Sequence, residues 1–232
     1  MINAEAILEK LKQAIQEDTL QFPTLSEVAQ QVRETAASEE ASVASLAKII
    51  QQDPAITARL MGIANSTAYR GTSEVQEAKA AISRLGMKAT ASLVTSIAME
   101  QMFKAKSPLI QARLQAVWQH ATEVAGIAYV LSKHFSSLPP EQASLAALVH
   151  EIGTLPLLVF AEEQQGLLEN PRFLTTMLNK TAPKLGTIIL QQWHFPSAIQ
   201  LAPNWAQLLT HGGDGPPQII DVVIVAKLQA LE

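Results

Sequence analysis

The stretch that decides the fold is Ile49-Ile50-Gln51-Gln52-Asp53-Pro54-Ala55-Ile56-Thr57-Ala58-Arg59-Leu60. At its centre, Asp53 can accept hydrogen bonds from free backbone amides, and Pro54 at a first helical position has no amide to leave unsatisfied. The pair therefore predicts the end of one helix and the beginning of the next. Apolar residues then recur at the spacing of one buried helical face, at Ile56, Leu60, Ile63 and Ala64.

Helical periodicity continues along almost the whole chain. Prolines mark several helix starts, at Pro108, Pro140 and Pro183. The pattern predicts helices over residues 73–85, 88–103, 108–135, 140–150 and 181–193, with a last one from residue 219. Because no alternation of apolar and polar residues persists beyond a few positions, the predicted fold class is all-α.

Ser107-Pro108 also marks the predicted boundary between two lobes. We expect residues 1–106 to form an N-terminal helical bundle, packed against a second helical lobe formed by residues 107–232. Every motif with potential chemistry lies in this second lobe, which makes it the place to look for a functional site.

Composition excludes several function classes. The 232 residues are 48% hydrophobic, enough for a sizeable core. The formal net charge is −4 and the basic residues are scattered, so no concentrated basic face for nucleic acid is expected. The chain contains no cysteine, which excludes disulfides, thiolate nucleophiles and zinc-thiolate sites.

The chain ends suggest a cytoplasmic protein. The first residues lack a basic segment followed by an apolar run, so no signal peptide is expected. The longest apolar run near the end, Val222 to Ala226, is too short to span a bilayer. We therefore expect neither membrane insertion nor a membrane partner.

His150-Glu151 is the candidate chemical motif, at the end of the apolar stretch from Ala143 to Val149. A histidine followed directly by a carboxylate can offer a divalent metal two ligands from one backbone corner. His120, behind Trp118 on a separate predicted helix, is the third candidate. The alternatives are a bound metal and a hydrogen-bonded polar cluster inside a helix bundle, and we favour the second.

Several motifs together resemble the HDOD family, bacterial signalling output domains related to the HD metal-dependent phosphohydrolases. In the first half they are the stretch opened at Ile49, Ala64-Asn65-Ser66 with Tyr69, and Ala81-Ile82-Ser83-Arg84-Leu85-Gly86. In the second half they are Trp118-Gln119-His120, Ala147-Leu148-Val149-His150-Glu151-Ile152-Gly153, and the run from Gly186 through Trp193 to Pro196. The resemblance covers roughly Leu20 to the end, and it implies a helical bundle packed on an HD-like lobe.

The resemblance also implies which residues correspond to the metal ligands of an HD phosphohydrolase. His120 corresponds to the first histidine and His150 to the second, whereas Glu151 replaces the usual aspartate. Lys227 falls where the distal aspartate should be, with Asp221 about two turns earlier as the alternative if the alignment shifts.

Further positions of that pattern also differ. The histidine that commonly precedes the Gly186 segment falls at Ala182, and the paired histidines after Pro196 fall near Ala206 and Gln207, with His211 as a nearby candidate. Because so many ligands are replaced, we expect no metal and no other cofactor.

The resemblance therefore predicts a non-catalytic signal-transduction module that binds a signalling or regulatory protein and, as a lesser role, a small ligand. The alternative is a divalent-metal phosphohydrolase acting on a nucleotide or cyclic nucleotide. A third interpretation is a purely structural homo-oligomer. The candidate corner for a ligand or partner is formed by four residues near the end of one helix, Asn65, Ser66, Tyr69 and Arg70.

Overall fold

The computed structural model describes residues 10, 13–14, 17, 20, 22–69, 71, 73–168, 170–205 and 215–230, with the side chains of residues 165, 166 and 205 excepted. Within these ranges the regular elements are all helices and there is no strand. The predicted all-α fold class is confirmed.

The chain folds into two compact units, of which the first is Thr24–Met102. Its helices are α1 (Glu27–Ala37), α2 (Val43–Ile50), α3 (Pro54–Ala64), α4 (Ala78–Leu85) and α5 (Met87–Glu100). The side chains that form its core are fully enclosed aliphatic groups, among them Leu46, Ile50, Ile56, Leu60 and Ile82. This packing of apolar helical faces is the main source of the stability of such a bundle.

The joint between α2 and α3 forms at Asp53 as the sequence predicts. Its Oδ1 accepts hydrogen bonds from the backbone amides of Ala55 and Ile56, at 2.9 and 3.0 Å. Pro54 occupies the first position of α3. Two of the free amides at the helix start are therefore satisfied by one carboxylate.

Helix α4 begins at Ala78 and not near Ser73, so the predicted start of this helix is wrong. The preceding residues are held in an irregular conformation by Asn65. Its Nδ2 donates to the carbonyl of Val75 at 2.9 Å, and its Oδ1 accepts from the amide of Val75 at 2.8 Å. A side chain outside the segment thus uses the backbone groups that helix formation would need.

The second unit contains residues from Phe103 onward together with the described residues before Thr24. Its helices are α6 (Pro108–Phe135), α7 (Pro140–Val149), α8 (Thr154–Glu162), α9 (Gln165–Leu168), α10 (Pro171–Gln192), α11 (Ser197–Gln200), α12 (Ala202–Trp205) and α13 (Ile219–Gln229). Helices α6, α7 and α13 pack on one another, and α8 packs on α6 and α10. This packing brings the ends of α7 and α13 to the side of α6.

This division differs from the predicted one between residues 106 and 107. Pro23 precedes the first unit in the chain but belongs to the second unit. Its carbonyl accepts a 3.1 Å hydrogen bond from the indole Nε1 of Trp193, which follows the first unit in the chain. Trp193 itself is buried. Such a contact between distant parts of the chain leaves no local signal in the sequence.

Helix α10 is longer than the sequence predicts. We expected a helix start near Thr181 and Pro183, but Pro183 lies inside the continuous helix Pro171–Gln192. The start is set by Asn170, whose Oδ1 accepts from the amide of Phe173 at 3.1 Å. Burial of apolar residues on both sides of the proline, Leu174 and Met177 before it and Leu185 and Ile189 after it, outweighs the missing hydrogen bond.

One stretch, Pro140–Glu162, is long and apolar enough to cross a membrane by length and composition, with a mean hydropathy of 1.7. It is 72% buried in the protein, and residues 150–153 divide it into α7 and α8. High hydropathy is also what core helices require, so the stretch is weak evidence for a membrane span.

Candidate functional site

His150 lies immediately after the last residue of α7 and is buried, with only 3% of its surface exposed. Its Nδ1 lies 2.5 Å from the carbonyl oxygen of Ala147, one turn earlier in the helix. Because a carbonyl only accepts hydrogen bonds, Nδ1 carries the ring proton in the neutral imidazole. Nε2 then carries the lone pair, and this buried atom has no hydrogen-bond partner among the described residues.

The pKa of His150 is lowered from an ordinary value of 6.5 to about 4, and burial is the largest cause. Glu151 and the Ala147 carbonyl act to raise this pKa, whereas Lys227 and His120 act with burial to lower it. Burial dominates because the charged imidazolium loses its hydration in the protein interior. His150 is therefore neutral near pH 7, and its Nε2 is available as an acceptor or a ligand.

His120 and Glu151 complete a cluster around this lone pair, and both are half-buried. The ring centroids of His120 and His150 are 5.8 Å apart, with an angle of 63° between the rings. Oε1 of Glu151 lies 3.8 Å from Nε2 of His150. One ligand atom from each of the three side chains lies within 4.8 Å of the others. The structure thus brings together the three residues that the sequence singled out.

Lys227 projects from α13 into the same cluster. Its Nζ lies 3.8 Å from Oε1 of Glu151, and only 17% of its side chain is exposed. The carboxylate therefore has an imidazole on one side and an ammonium group on the other. Lys227 is at the site, as its alignment with the distal aspartate position implies, but it brings a positive charge.

A small cavity of about 50 Å³ opens beside these side chains. Its lining combines polar and apolar groups from the second unit: His150, Glu151, Thr154, Leu178, Asn179, Ala182, Pro183, Pro203 and Lys227. Ala182, at the position of a histidine in the HD pattern, therefore faces the site but offers no ligand. The volume suits water or a very small group.

The sequence analysis missed Thr154, Asn179 and Pro203 as lining residues. A signal existed for one of them. Asn179 precedes Ala182, a position of the HD pattern, by three residues in α10, so the two lie on one side of that helix. Thr154 is the first residue of α8, directly after the turn that contains His150 and Glu151. Pro203 carries no such signal, because it reaches the cavity through the packing of α12 on α10.

Two glycines hold the backbone at this corner. A Cβ atom on Gly153 would lie 1.9 Å from the carbonyl oxygen of Ala182, and one on Gly186 would lie 2.7 Å from Cβ of Pro203. Real Cβ atoms do not approach other atoms that closely, so glycine at 153 allows the start of α8 to meet α10, and glycine at 186 allows α12 to meet α10. This close approach places His150 and Glu151 beside α10.

The three donors partly fit a divalent metal. Two imidazoles and one carboxylate form a known ligand set, and a ligating histidine usually donates its other ring N–H to an oxygen, as His150 does. Lys227 does not fit. At an effective dielectric constant of about 20, an ammonium group about 4 Å from a divalent ion opposes binding by several kcal/mol. The residues present therefore do not fit a catalytic metal centre.

Asp221, the alternative to Lys227 for the distal ligand, does not belong to the cluster. Asp221 lies in the first turn of α13, where its Oδ2 accepts a 2.7 Å hydrogen bond from the amide of Gln218. The metal-ligand cluster among the described residues contains only His120, His150 and Glu151 of the candidates. Ala206, Gln207 and His211 lie outside the described residues.

The predicted corner at the end of α3 is occupied by structural hydrogen bonds. The Asn65 side chain makes two hydrogen bonds to Val75, and its Oδ1 also accepts a hydrogen bond from Nη1 of Arg84 at 3.3 Å. The same guanidinium donates to the carbonyls of Ala64 and Ser73. Tyr69 is 42% exposed and Ser66 is half-buried, while Arg70 lies outside the described residues. Among the described members of this corner, Tyr69 is therefore the exposed one.

Comparison with known proteins identifies relatives for most of the chain. The model of the HDOD domain matches residues 22–207. No curated protein matches the chain. Among solved structures, a protein from Shewanella amazonensis provisionally described as a metal-dependent phosphohydrolase is similar at 30% identity. It has a TM-score of 0.81, and the match covers 99% of this chain and 84% of that one.

Two further solved structures share the fold. An HDOD domain protein of unknown function from Geobacter sulfurreducens is 18% identical, with a TM-score of 0.70, over 90% of this chain and 72% of that chain. A protein from Marinobacter aquaeolei provisionally described as a signal transduction protein is 21% identical, with a TM-score of 0.68, over 99% of this chain and 55% of that chain.

Proposed function

Since the chain belongs to the HDOD family, we propose that it is a non-catalytic output module of bacterial signal transduction that acts by binding a regulatory protein. The observation that carries the proposal is the ammonium group of Lys227, 3.8 Å from the carboxylate of Glu151. A metal-dependent hydrolase needs a divalent ion at such a carboxylate to generate hydroxide. Here the carboxylate already has a cation beside it.

The binding role is supported by the chemistry that remains. Without a metal, the cluster does not supply the metal-bound hydroxide that attacks a phosphoester in a metal-dependent hydrolase. The protein can then transmit a signal through the shape of its surface. We expect the protein to act in the cytoplasm and to need no cofactor. We expect it to bind neither nucleic acid nor a membrane, and we propose that it can also associate with a second copy of itself.

Tyr69 is the surface residue that we propose for the partner contact in the first unit. Exposed aromatic side chains contribute strongly to protein interfaces, because they bury a large area at a low entropic cost. The neighbouring Asn65 is committed to the backbone of Val75 and has less to offer a partner. Arg70 remains a sequence-based candidate for the same contact.

The second candidate function is a divalent-metal phosphohydrolase that acts on a nucleotide or cyclic nucleotide. Two observations favour it: His120, His150 and Glu151 form a ligand cluster, and the Shewanella relative is described as a metal-dependent phosphohydrolase. The two functions differ in what they require at Glu151, since only hydrolysis needs its charge for a metal.

A phosphodiesterase assay separates the two functions. We would incubate tag-free protein with bis(p-nitrophenyl) phosphate and a set of cyclic dinucleotides in Mn²⁺, Mg²⁺ or Fe²⁺. The proposal predicts the same low background for the wild-type protein and for the His120→Ala/His150→Ala double variant. Turnover by the wild type that the double variant loses would establish the hydrolase and reject the binding module.

The partner contact is tested by capture from bacterial extract. Glu151→Gln keeps the side-chain volume and removes the charge, and we expect the captured protein to stay the same. Tyr69→Ala should reduce capture, whereas Leu109→Ala, which truncates another exposed apolar side chain, serves as the matched control. Loss of capture in Glu151→Gln alone would point back to chemistry at the histidines.

A further inference from the structure

Four polar side chains from two helices and one turn converge in the second unit. His120 comes from α6, His150 and Glu151 from the turn after α7, and Lys227 from α13. Three of them can donate electron pairs to a cation, and the fourth is itself a cation. The arrangement resembles a metal site in which the positive charge of the ion has been replaced by the ammonium group of a lysine side chain.

We propose that the positive charge of Lys227 substitutes for that of a divalent ion beside Glu151, that His120, His150 and Glu151 form a latent ligand set, and that replacing Lys227 opens this set to a transition metal. The inference rests on the proposed non-catalytic function and gives its physical origin. It concerns metal binding alone and requires no turnover.

The geometry of His150 supports a site prepared for a cation. The hydrogen bond from Nδ1 to the Ala147 carbonyl fixes the ring, as carbonyl partners do for metal-bound histidines. The other ring nitrogen, Nε2, is buried and has no hydrogen-bond partner among the described residues. A buried lone pair of this kind needs a donor or a cation to offset its loss of hydration.

The position of Lys227 supports the replacement. Its Nζ shares Oε1 of Glu151 with His150 Nε2, and both distances are 3.8 Å. These separations exceed direct hydrogen bonds, so the ammonium neutralises the carboxylate without occupying the lone pair of His150. Its side chain also lines the cavity beside the cluster. A cation that neutralises but does not coordinate leaves the donor set intact.

The substitution Lys227→Asp tests this directly. It removes the positive charge, adds a carboxylate, and is about two atoms shorter in reach, which leaves volume for an ion. With His120, His150 and Glu151 it would give a set of nitrogen and oxygen ligands suited to Zn²⁺ or Co²⁺. Lys227→Met removes the charge but keeps a long side chain, and Lys227→Arg keeps the charge.

The measurement is titration of tag-free, chelator-treated protein with Zn²⁺ by calorimetry, with Co²⁺ absorption as the spectroscopic readout. We expect Lys227→Asp to bind one ion per chain at least a hundredfold more tightly than the wild type or Lys227→Arg. Adding His150→Ala should abolish that gain. Lys133→Asp makes the same charge change at an exposed position of α6, and it should bind no better than the wild type.

Equal Zn²⁺ affinity in the wild type and in folded Lys227→Asp would overturn the inference, and so would a gain that survives His150→Ala. If Lys227→Asp does not fold, Lys227→Met decides, because removal of the charge alone should strengthen binding at least tenfold. Failure of the inference is distinct from failure of the proposed function. The first appears as metal binding that ignores residue 227, the second as metal-dependent phosphodiester cleavage by the wild type.

Discussion

The two helix ends at Asn65 and at His150 place similar polar residues in opposite situations. At the end of α3, the amide of Asn65 donates to and accepts from the backbone of Val75, and Arg84 adds a third contact. At the end of α7, Nε2 of His150 is buried without a hydrogen-bond partner among the described residues. At Asn65 the polar groups of the side chain are hydrogen-bonded within the protein, whereas at His150 one ring nitrogen keeps an unpaired lone pair.

The two helix ends differ in whether their polar groups are used by the fold. A polar group that serves the fold tends to be satisfied within the fold, because an unpaired buried group costs stability. At His150 that cost persists beside a carboxylate and a lysine. The hydrogen bonds of Asn65 therefore hold the loop that precedes α4. The unpaired Nε2 of His150 is still able to bind a ligand.

The largest expected loss of stability is at Gly153, in the turn that follows α7 and contains His150. Gly153→Ala would place a Cβ atom 1.9 Å from the Ala182 carbonyl, so α8 and α10 would have to separate. We expect a loss of more than about 4 kcal/mol, or no folded protein, in urea unfolding.

The control for Gly153→Ala is a helical glycine with free space. A Cβ atom on Gly126 in α6 meets nothing within 4 Å. Gly126→Ala should therefore stabilise the protein by up to about 1 kcal/mol. A mild effect of Gly153→Ala, similar to that of Gly126→Ala, would mean that the close approach of the two helices is not required at His150.

The next effect is the pH dependence of stability. The pKa of His150 is about 4 in the folded protein and about 6.5 when unfolded, so the unfolded state binds the proton more readily between these values. Stability should therefore fall as the pH decreases from 6.5 to 4, by about 3 kcal/mol. Unfolding in urea across this range measures the fall.

His150→Gln is the variant that isolates this contribution. Its side chain does not titrate, so its stability should decrease less steeply over the same pH range than that of the wild type. Glu151, Lys227 and His120 remain in both proteins. Parallel curves for the two proteins would show that His150 is not a buried neutral histidine.

A smaller loss is expected at the first helix end. Asn65→Ala removes the partner of both backbone groups of Val75, and we expect a cost of about 2 kcal/mol in thermal or chemical unfolding. Ser66→Ala, at the next position, should change stability by less than about 0.5 kcal/mol. Equal effects of the two substitutions would contradict the view that hydrogen bonding at this end is closed.

The smallest loss of stability is expected at the start of α3, where the hydrogen bonds join neighbouring residues. Asp53→Ala removes the acceptor for the amides of Ala55 and Ile56 and should cost about 1 kcal/mol. Asp53→Ser retains a capping oxygen and should recover most of this loss. A larger cost for Asp53→Ala than for Asn65→Ala in unfolding would reverse the expected order.

The difference between local and distant interactions also explains what the sequence could predict. The cap at Asp53, the proline starts of α6 and α7, and the pairing of His150 with Glu151 depend on neighbours in the chain. They could be read from the residues because a few positions determine them. The resemblance to a known family added Lys227 and matched His120 to a ligand position, and no local pattern would connect these two residues with His150.

The features that the sequence did not predict depend on contacts between distant segments. The start of α4 is delayed because Asn65 binds Val75, and α10 continues through Pro183 because apolar residues on both sides are buried. Pro203 reaches the cavity only through the packing of α12. Tertiary packing overrides local preference in each of these cases.

The most direct test of the account is the metal content of wild-type protein purified without a chelator. Because Lys227 provides the positive charge beside Glu151, we predict far less than one equivalent of iron, manganese or zinc per chain by elemental analysis. About one equivalent per chain, lost in the His120→Ala/His150→Ala double variant, would contradict the account and restore the metal-dependent phosphohydrolase.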